Sequence, residues 1–450
     1  MPVDMNTSPP RTDAPAPAAR PARAPLLSLD DALARLLATV QPLPGHETIS
    51  TFDALGRVLS NDVVSLIDVP PGDNTSMDGY ALRAADVVEP GTVLPVSQRI
   101  PAGVVGQPLL PGSAARIFTG AQIPAGATAV VMQEHCEAIT APDGSTQVRV
   151  NSQPTDGQWI RRRGEDVARA SVVLQAGHKL TAQSLGLAAS VGAAHLDVAH
   201  RPRVALFSTG DELVMPGAVA PDHMPPGAIY NSNRYTLRAL LQGLGCEVTD
   251  FGIVPDRLDA TRATLREAAA EHDLILTSGG VSVGEEDHLR PAVLAEGRLD
   301  LWSIGMKPGK PLAFGSVRRP LDVGEAAPDG SEDDVSRSAW FIGLPGNPVS
   351  SYVTFLLLVR PVLLRLQGVV DLAPRSYTVR AGFDWPRGDV RREFVRVRLG
   401  ADGRAELFHN QSAGVLTSVA WADGLVDIAP GGTVKAGDEV RYLPLSELLT

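Results

Sequence analysis

Cysteine is nearly absent from this chain of 450 residues, which has only Cys136 and Cys246 and no CxxC pair. Two isolated cysteines exclude a disulfide framework and a thiolate zinc site, and they are typical of a protein in a reducing compartment. We therefore expect a cytoplasmic location.

An excess of positive charge is also missing. Lysine and arginine number 40 against 51 aspartates and glutamates, so the net charge is −11. Nucleic-acid binding needs a basic surface, and this balance argues against such a partner. A small anionic substrate is still compatible with the sequence, provided that a local cluster of cations and backbone amides binds it.

No apolar run is long enough to cross a membrane, so we expect no membrane partner. The stretch "YVTFLLLV" (352–359) is too short for a bilayer and is predicted to be a buried helix. Residues 1–25 are rich in proline and alanine and lack the apolar core of a secretory signal. They are predicted to be a disordered tail.

Two helical segments enclose a region of short strand-like pieces. "LSLDDALARLLATV" (27–40) begins with Ser28 as N-cap and Asp31 three positions later. "TAQSLGLAASVG" (181–192) is expected to pack beside it. The pattern predicts a helical linking domain, formed by 26–69 plus 164–201, with a β-rich domain (70–163) inserted into it.

Strands and helices alternate through residues 202–371, which indicates a three-layer αβα domain around a parallel sheet. An acidic loop within it, "DVGEAAPDGSEDDVS" (322–336), is predicted to be solvated and mobile. Residues 372–450 show strand alternation alone and predict a small β-barrel. The chain is thus an α/β multidomain protein by prediction.

Three loops follow predicted strands at the edge where parallel sheets bind ligands: "STGDEL" (208–213), "TSGGVSVGEEDHL" (277–289) and "GLPGNPVSS" (343–351). A glycine after a strand is usually only a turn, but three such loops in one domain favour a site. Small residues there let backbone amides approach an anion. The predicted substrate contacts are Thr209, Gly210, Ser278, Gly279, Gly280, Pro345, Gly346, Asn347 and Pro348.

Acidic residues beside these loops are unexpected at an anion site. Taken singly, each acid is better explained as a helix cap. Taken together, Glu212, Asp256 and Asp287 each follow a strand and can converge. Mg²⁺ prefers oxygen ligands and is commonly held by carboxylates together with substrate phosphates, so these three residues are predicted metal ligands.

The motif "MKPGKP" (306–311) supplies positive charge, because Lys307 and Lys310 flank a Pro-Gly turn. A solvated basic turn is the alternative interpretation. "IRRRGED" (160–166) equally fits a surface ion-pair cluster. The polar stretch "DNTSMDGYAL" (73–82) is hard to explain by packing and favours a functional loop.

These motifs, with "RIFTGAQIPAGATAVVMQE" (116–134), resemble the molybdopterin molybdenumtransferase family, which includes MoeA and the gephyrin E-domain. They occur in the family's order and span most of residues 27–450. The resemblance implies that residues 202–371 form a molybdopterin-binding domain. It also implies an elongated homodimer and a transferase reaction in which adenylyl-molybdopterin and molybdate give molybdenum cofactor and AMP, with Mg²⁺ as cofactor.

The resemblance also implies roles for individual residues. Its catalytic positions fall on Asp78, Thr119, Asp166, Lys307 and Lys310, and Arg396 and Ser412 match binding positions more loosely. Since Asp78 and Asp166 belong to a different domain from the cleft residues, the dimer is expected to bring them to the partner's cleft. One departure is Ser303, which stands where some relatives have a basic residue; nearby cations either compensate for it or oxyanion affinity is reduced.

Two alternatives remain open from the sequence. The first is a molybdopterin adenylyltransferase on the same fold, which would consume ATP. The second is a non-catalytic scaffold resembling the gephyrin E-domain. Contact with the upstream adenylyltransferase of the pathway is a further expectation from the resemblance.

Overall fold

The computed structural model of the chain describes residues 26–280, 288–320 and 337–449. The predicted tail (1–25), Asp287 with its neighbours Glu285 and Glu286, and residues 321–336 of the acidic loop lie outside the described residues.

The first two hundred residues hold short elements in two groups. The linking region contains α1 (Leu29–Thr39), β1 (His46–Ser50), β2 (Val63–Val64), and, after the insertion, β11 (Val172–Leu174), α2 (Ala182–Ser190) and β12 (His195–Ala199). The inserted domain contains β3 (Asn74–Thr75), β4 (Gly79–Leu82), β5 (Thr92–Ile100), β6 (Ala114–Ile117), β7 (Ala129–Met132), β8 (Cys136–Thr140), β9 (Thr146–Val150) and β10 (Ile160–Arg161). Six of its strands form one sheet in the order β7-β4-β6-β5-β9-β8.

The core domain and the C-terminal domain hold the longer elements. The core domain contains β13 (Arg203–Thr209), β14 (Leu213–Val214), β15 (Ile229–Tyr230), α3 (Ser232–Gly243), β16 (Glu247–Val254), α4 (Leu258–Glu271), β17 (Leu274–Ser278), α5 (Leu289–Glu296), β18 (Gly297–Ser303), β19 (Met306–Lys307), β20 (Pro311–Arg318), β21 (Ser338–Leu344), α6 (Pro348–Thr354) and α7 (Arg360–Leu366). The C-terminal domain contains β22 (Tyr377–Ala381), β23 (Arg392–Leu399), β24 (Arg404–Leu407), α8 (Thr417–Trp421), β25 (Gly424–Ile428), β26 (Glu439–Pro444) and α9 (Leu445–Leu448).

Helix α1 begins where its sequence predicts. The Ser28 hydroxyl accepts a hydrogen bond from the Asp31 backbone amide at 3.0 Å, which satisfies one of the free amides of the first turn. Its buried residues, Leu29, Ala32 and Leu36, repeat at helical spacing. They pack into the core domain, alongside α7.

The expectation that α2 packs beside α1 is wrong. Ala188 of α2 belongs to a separate apolar cluster with Ala54, Leu59 and Leu196 of the linking region. Residue spacing identifies the apolar face of a helix, but it does not identify the surface that covers this face.

The core sheet has the order β16-β13-β17-β21-β20-β18. Along β13, Val204 and Leu206 enter one apolar cluster, and Ala205 and Phe207 enter the cluster on the opposite face. Burial on both faces explains why the strand reads as a continuous apolar run. The predicted three-layer αβα core is confirmed.

The alternation of strands and helices predicted a parallel sheet, but the sheet of the core domain is mixed. Strands β16, β13, β17 and β21 are parallel, whereas β20 pairs antiparallel with both β21 and β18. Antiparallel neighbours need no helical crossover. Between β18 and β20 the chain passes only through the short "IGMKPGK" segment (304–310), so no crossover helix is present there.

The predicted C-terminal barrel is confirmed. Its five strands close in the order β23-β24-β22-β26-β25, and β25 pairs back onto β23. Strand β19 of the core domain adds to β23, with Lys307 opposite Glu393. Phe394, Leu425 and Leu443 of the barrel share the large apolar cluster of the core domain. The barrel therefore forms one wall of any cleft that adjoins Lys307.

The helix around the apolar run 352–359 is longer than that run: it spans 19 residues, Pro348–Leu366, and by length and composition alone it could span a membrane, contrary to the sequence expectation. Its most apolar window is 94% buried inside the protein, which identifies a core helix. The segment predicted to be a buried helix, 352–359, lies within it, and residues Phe355–Val359 form a π-helical turn before Pro361.

Candidate functional site

A cleft of about 730 Å³ opens at the carboxyl ends of β13, β17 and β21, between the core domain and the barrel. Parallel sheets bind ligands at this edge because loops and unsatisfied backbone amides converge there. Residues from seven chain segments line it: Thr209, Gly210, Glu212, Asp256, Gly279, Gly280, Lys307, Pro308, Gly309, Lys310, Pro311, Pro345, Gly346, Asn347, Ser350, Arg391, Gln411, Ser412 and Ala413. Most of the sequence-predicted contacts are among them.

The loop after β17 lies directly against the end of β13. Gly279 and Gly280 have φ values of +93° and +65°, which L side chains rarely adopt. A Cβ at Gly279 would lie 2.9 Å from the Thr209 carbonyl oxygen, and one at Gly280 would lie 2.8 Å from the Thr209 Oγ1. Only glycines permit this approach, which brings the backbone of two loops to one wall of the cleft.

Asn233 joins two of the cleft loops, and the sequence analysis missed it. From the first turn of α3, its buried side-chain nitrogen donates to the Gly346 carbonyl at 2.7 Å and to the Ser278 hydroxyl at 3.3 Å. Ser278 is therefore buried behind the cleft wall. The motif "NSNR" was the available signal, but an asparagine beside a helix start is easily interpreted as a cap, a role that Asn231 fills here.

Two of the three predicted metal ligands, Glu212 and Asp256, face this cleft, while Asp287 lies outside the described residues. Neither carboxylate forms an ion pair with any residue of the described ranges. No group of three metal-ligating side chains occurs within those ranges. Two unpaired carboxylates suit a hard cation that completes its shell with substrate oxygens and water, so the donor set fits Mg²⁺.

Positive charge lines the other side of the cleft: Glu212 and Asp256 follow β13 and β16, whereas the two cleft lysines lie between β18 and β20, at the opposite end of the sheet. The Lys307 ammonium lies 2.9 Å from Glu393 and 3.4 Å from Asp389, whereas the exposed Lys310 has no ion pair with a described residue. Arg391 also lines the cleft and was missed because the basic run "RREFVR" (391–396) offers three arginines without a means of choosing among them. Its guanidinium binds Asp389 at 2.8 Å and holds the pKa of that carboxyl well below its usual range.

Arg396, a predicted binding residue, does not line the cleft. It is only 2% exposed, and its guanidinium donates to the Ser418 hydroxyl and the Ser412 carbonyl at 3.1 and 3.2 Å. Burial lowers the pKa of Arg396 to about 10. Alternation along β23 directs odd-numbered Val395 and Val397 into the barrel and even-numbered Arg396 towards the loop behind the cleft. Its position fits support of Ser412 and not contact with substrate.

The remaining predicted contacts divide in the same way. Pro345, Gly346, Asn347 and Ser412 line the cleft, whereas Pro348 lies behind them as the first residue of α6.

Asp78, Thr119 and Asp166 lie in the inserted domain and its boundary and do not line this cleft. The Asp78 carboxylate accepts hydrogen bonds from the Thr119 backbone amide and hydroxyl, both at 2.8 Å. These bonds, the amide first, lower the pKa of Asp78. Asp166 is exposed.

Thr119→Val is expected to raise the pKa of Asp78 part of the way towards its ordinary value, because the hydroxyl is lost and the amide remains. A carboxyl with a lowered pKa stabilises the fold above its unfolded pKa and loses that effect as pH falls. The variant should therefore lose less stability on acidification. Carboxyl NMR titration of Asp78 checks this, and an unchanged midpoint would contradict the hydrogen-bond assignment.

Sequence profiles of three family regions match the chain. The MoeA N-terminal region (domains I and II) matches residues 27–192, a probable molybdopterin-binding domain matches 205–365, and the MoeA C-terminal region (domain IV) matches 378–445. Together they cover the linking, inserted, core and barrel segments.

Individual relatives agree. The molybdopterin molybdenumtransferase of Haemophilus influenzae is 40% identical over 94% of this chain and 100% of its own length. Molybdopterin molybdenumtransferase 2 of Mycobacterium tuberculosis is 36% identical over 89% of this chain and 95% of its own. The crystal structure of a molybdopterin biosynthesis MoeA protein from Pyrococcus horikoshii OT3 superposes with a TM-score of 0.77 at 26% identity, covering 93% of this chain and 100% of that one. These matches identify the chain as an enzyme of molybdenum cofactor biosynthesis. Within that class, the chain belongs to the MoeA family of molybdopterin molybdenumtransferases.

Proposed function

We propose that this enzyme transfers molybdenum from molybdate to adenylyl-molybdopterin and releases AMP. One observation carries the proposal: a single cleft is lined by two carboxylates that have no ion pair with a described residue, Glu212 and Asp256, and by the cations Lys307, Lys310 and Arg391. Such a cleft suits two anionic substrates, one of them bound through a metal. The family membership supports the choice of pterin and molybdate.

The cations form the oxyanion subsite in this proposal. Molybdate is a tetrahedral dianion, and charge-assisted hydrogen bonds from ammonium and guanidinium groups are the strong ones in proteins. Lys307, Lys310 and Arg391 supply these donors, and Ser412 adds a hydroxyl at the same wall. Arg391 offers the charge that Ser303 lacks. Holding the two anions side by side is the protein's main contribution, and no covalent bond to a side chain is needed.

The carboxylates form the metal subsite. Glu212 and Asp256, with Asp287 as third candidate, would hold Mg²⁺ at the phosphates of the adenylylated pterin. When bound, Mg²⁺ neutralises phosphate charge and polarises the phosphate bond that breaks. Thr209, Gly210, Gly279 and Gly280 lie at the same end of the cleft, where their backbone would face the pterin phosphates.

We also infer a homodimer. Asp78, Thr119 and Asp166 are polar residues outside their own chain's cleft, and a partner copy would bring them to a cleft.

The free thiols of Cys136 and Cys246 support a cytoplasmic location, where contact with the upstream adenylyltransferase is feasible.

The test is conversion of adenylyl-molybdopterin with molybdate by the purified full chain, with nucleotide release measured in the presence and absence of Mg²⁺. We expect release of AMP that requires both molybdate and Mg²⁺. A parallel incubation of molybdopterin with ATP should consume no ATP. Consumption of ATP would identify an adenylyltransferase, and inactivity in both assays would favour the scaffold alternative.

A further inference from the structure

Behind the cation wall of the cleft lies a buried carboxylate that the proposed mechanism does not use. Glu393, at the second position of β23, is 2% exposed. Its Oε1 accepts a hydrogen bond from the Lys307 ammonium at 2.9 Å. Its Oε2 accepts from the Trp385 indole nitrogen at 2.9 Å and from the Asp389 backbone amide at 3.2 Å. Three donors thus hold the carboxylate in one orientation.

The backbone fixes the same geometry. Lys307 lies opposite Glu393 in the parallel pairing of β19 with β23, and the Arg392 amide donates to the Gly305 carbonyl at 2.9 Å. The cleft loop of the core domain is therefore attached to the barrel at the residue that carries the ammonium. A second carboxylate, Asp389, lies 3.4 Å from Lys307 and also binds Arg391. Two acids that do not line the cleft thus bind two cations that do.

We propose that Glu393 is a positioning residue for oxyanion binding, acting through Lys307. This inference rests on the proposed function, since it assumes that Lys307 contacts molybdate. A free lysine side chain has four rotatable bonds and loses much rotamer freedom when it binds a ligand. In this structure the Lys307 ammonium donates one of its three hydrogen bonds to Glu393 and forms an ion pair with Asp389 at 3.4 Å, while the residue still lines the cleft. The ammonium is thereby held near its bound position before the oxyanion arrives.

Lys310 provides the internal contrast. It is exposed and has no ion pair among the described residues, so its charge is available but not held in place. Replacing Glu393 should therefore alter the behaviour of Lys307 and leave that of Lys310 unchanged.

Glu393→Gln tests the proposal, because one amide oxygen cannot accept the hydrogen bonds of all three donors. In the full chain, we expect KM for molybdate to rise about tenfold with a much smaller change in kcat. In a Lys307→Ala background the same substitution should add little, since the two residues act as one unit. Equal losses in both backgrounds, or an unchanged KM in the single variant, would overturn the inference.

A matched control is Asp427→Asn. Asp427 is a similarly buried acid on the neighbouring strand β25, where it binds Arg392 and Arg441 and does not line the cleft. This variant should lower the melting temperature and leave KM for molybdate unchanged. If it raises KM as much as Glu393→Gln does, the effect is general loosening of the barrel and the positioning role is wrong.

If Glu393→Gln folds poorly, a second variant and a second measurement still test the proposal. Trp385→Phe removes one donor to Glu393 and keeps its charge, so a rise in KM of about threefold is expected. Acetylation rates of Lys307, Lys310 and Lys435, measured by mass spectrometry, need no substrate. Lys307 alone should react several times faster in Glu393→Gln, where the carboxylate is lost, and by a smaller factor in Trp385→Phe, where the carboxylate remains but loses one of the donors that hold it.

These readouts separate the two proposals. If the wild type does not bind molybdate but Lys307 becomes more reactive, the proposed function fails and the ion-pair assignment holds. If the wild type binds molybdate and both Lys307 reactivity and KM are unaffected by the variants, the function holds and the positioning inference is overturned.

Discussion

Lys310→Ala is expected to weaken molybdate binding by roughly 10- to 100-fold, the loss typical of one charge-assisted hydrogen bond to an anion. Lys310 faces the cleft and has no ion pair with a described residue, so among those residues no carboxylate competes for its charge. Equilibrium dialysis with molybdate measures the effect directly. KM for molybdate should rise by a similar factor, since the lost contact is made before the chemical step.

Lys435→Ala is the matched control. Lys435 is one of only four lysines in the chain and is also exposed, but it lies on the barrel away from the cleft. Both variants lower the net charge by one, so a general field effect would weaken binding equally in each. Equal losses, or no loss in Lys310→Ala, would contradict the placement of the oxyanion subsite.

Glu212→Gln and Asp256→Asn are expected to lower Mg²⁺-dependent AMP release by at least about a hundredfold each, because a neutral amide is a poor ligand for a hard divalent cation. Both substitutions keep the size of the side chain. Molybdate binding, which uses the opposite wall, should change by less than about twofold. Calorimetric titration of Mg²⁺ in the presence of the adenylylated pterin gives a readout that is independent of turnover.

The neighbouring Asp211→Asn makes the same chemical change one residue from Glu212, and Asp211 does not line the cleft. It should keep full activity and Mg²⁺ affinity. Normal Mg²⁺ dependence in both Glu212→Gln and Asp256→Asn would show that the metal assignment is wrong.

Local sequence patterns predicted the elements that carry the cleft. Strands and helices alternate in the core domain, beginning with β13 and α3, as the pattern of residues 202–371 predicted, because burial on both faces of a strand and on one face of a helix leaves a clear period. The packing and pairing partners of these helices and strands were harder to predict. Packing of α1 on α7, and the antiparallel pairing of β20, depend on surfaces distant in the sequence.

The same limit applied to the cleft. Glycine loops and acids after strands indicated Thr209, Gly279, Glu212 and Asp256, and the structure brings these four residues to one cleft. The sequence patterns could not indicate which arginine of "RREFVR" reaches the cleft. Strand register decides this: Arg391 precedes β23 beside the cleft, while Arg396 is buried behind the Ser412 loop.

The sequence alone determined the chemistry available to this protein, namely carboxylates, ammonium groups and flexible glycine backbone after buried strands, since these depend on residue type and local spacing. The tertiary structure alone decided which charges meet. Lys307 faces Glu393, 86 positions away, because β19 pairs with the barrel strand β23. Coulombic and hydrogen-bonding interactions act over a few ångströms of space, and separation along the chain does not reveal that distance.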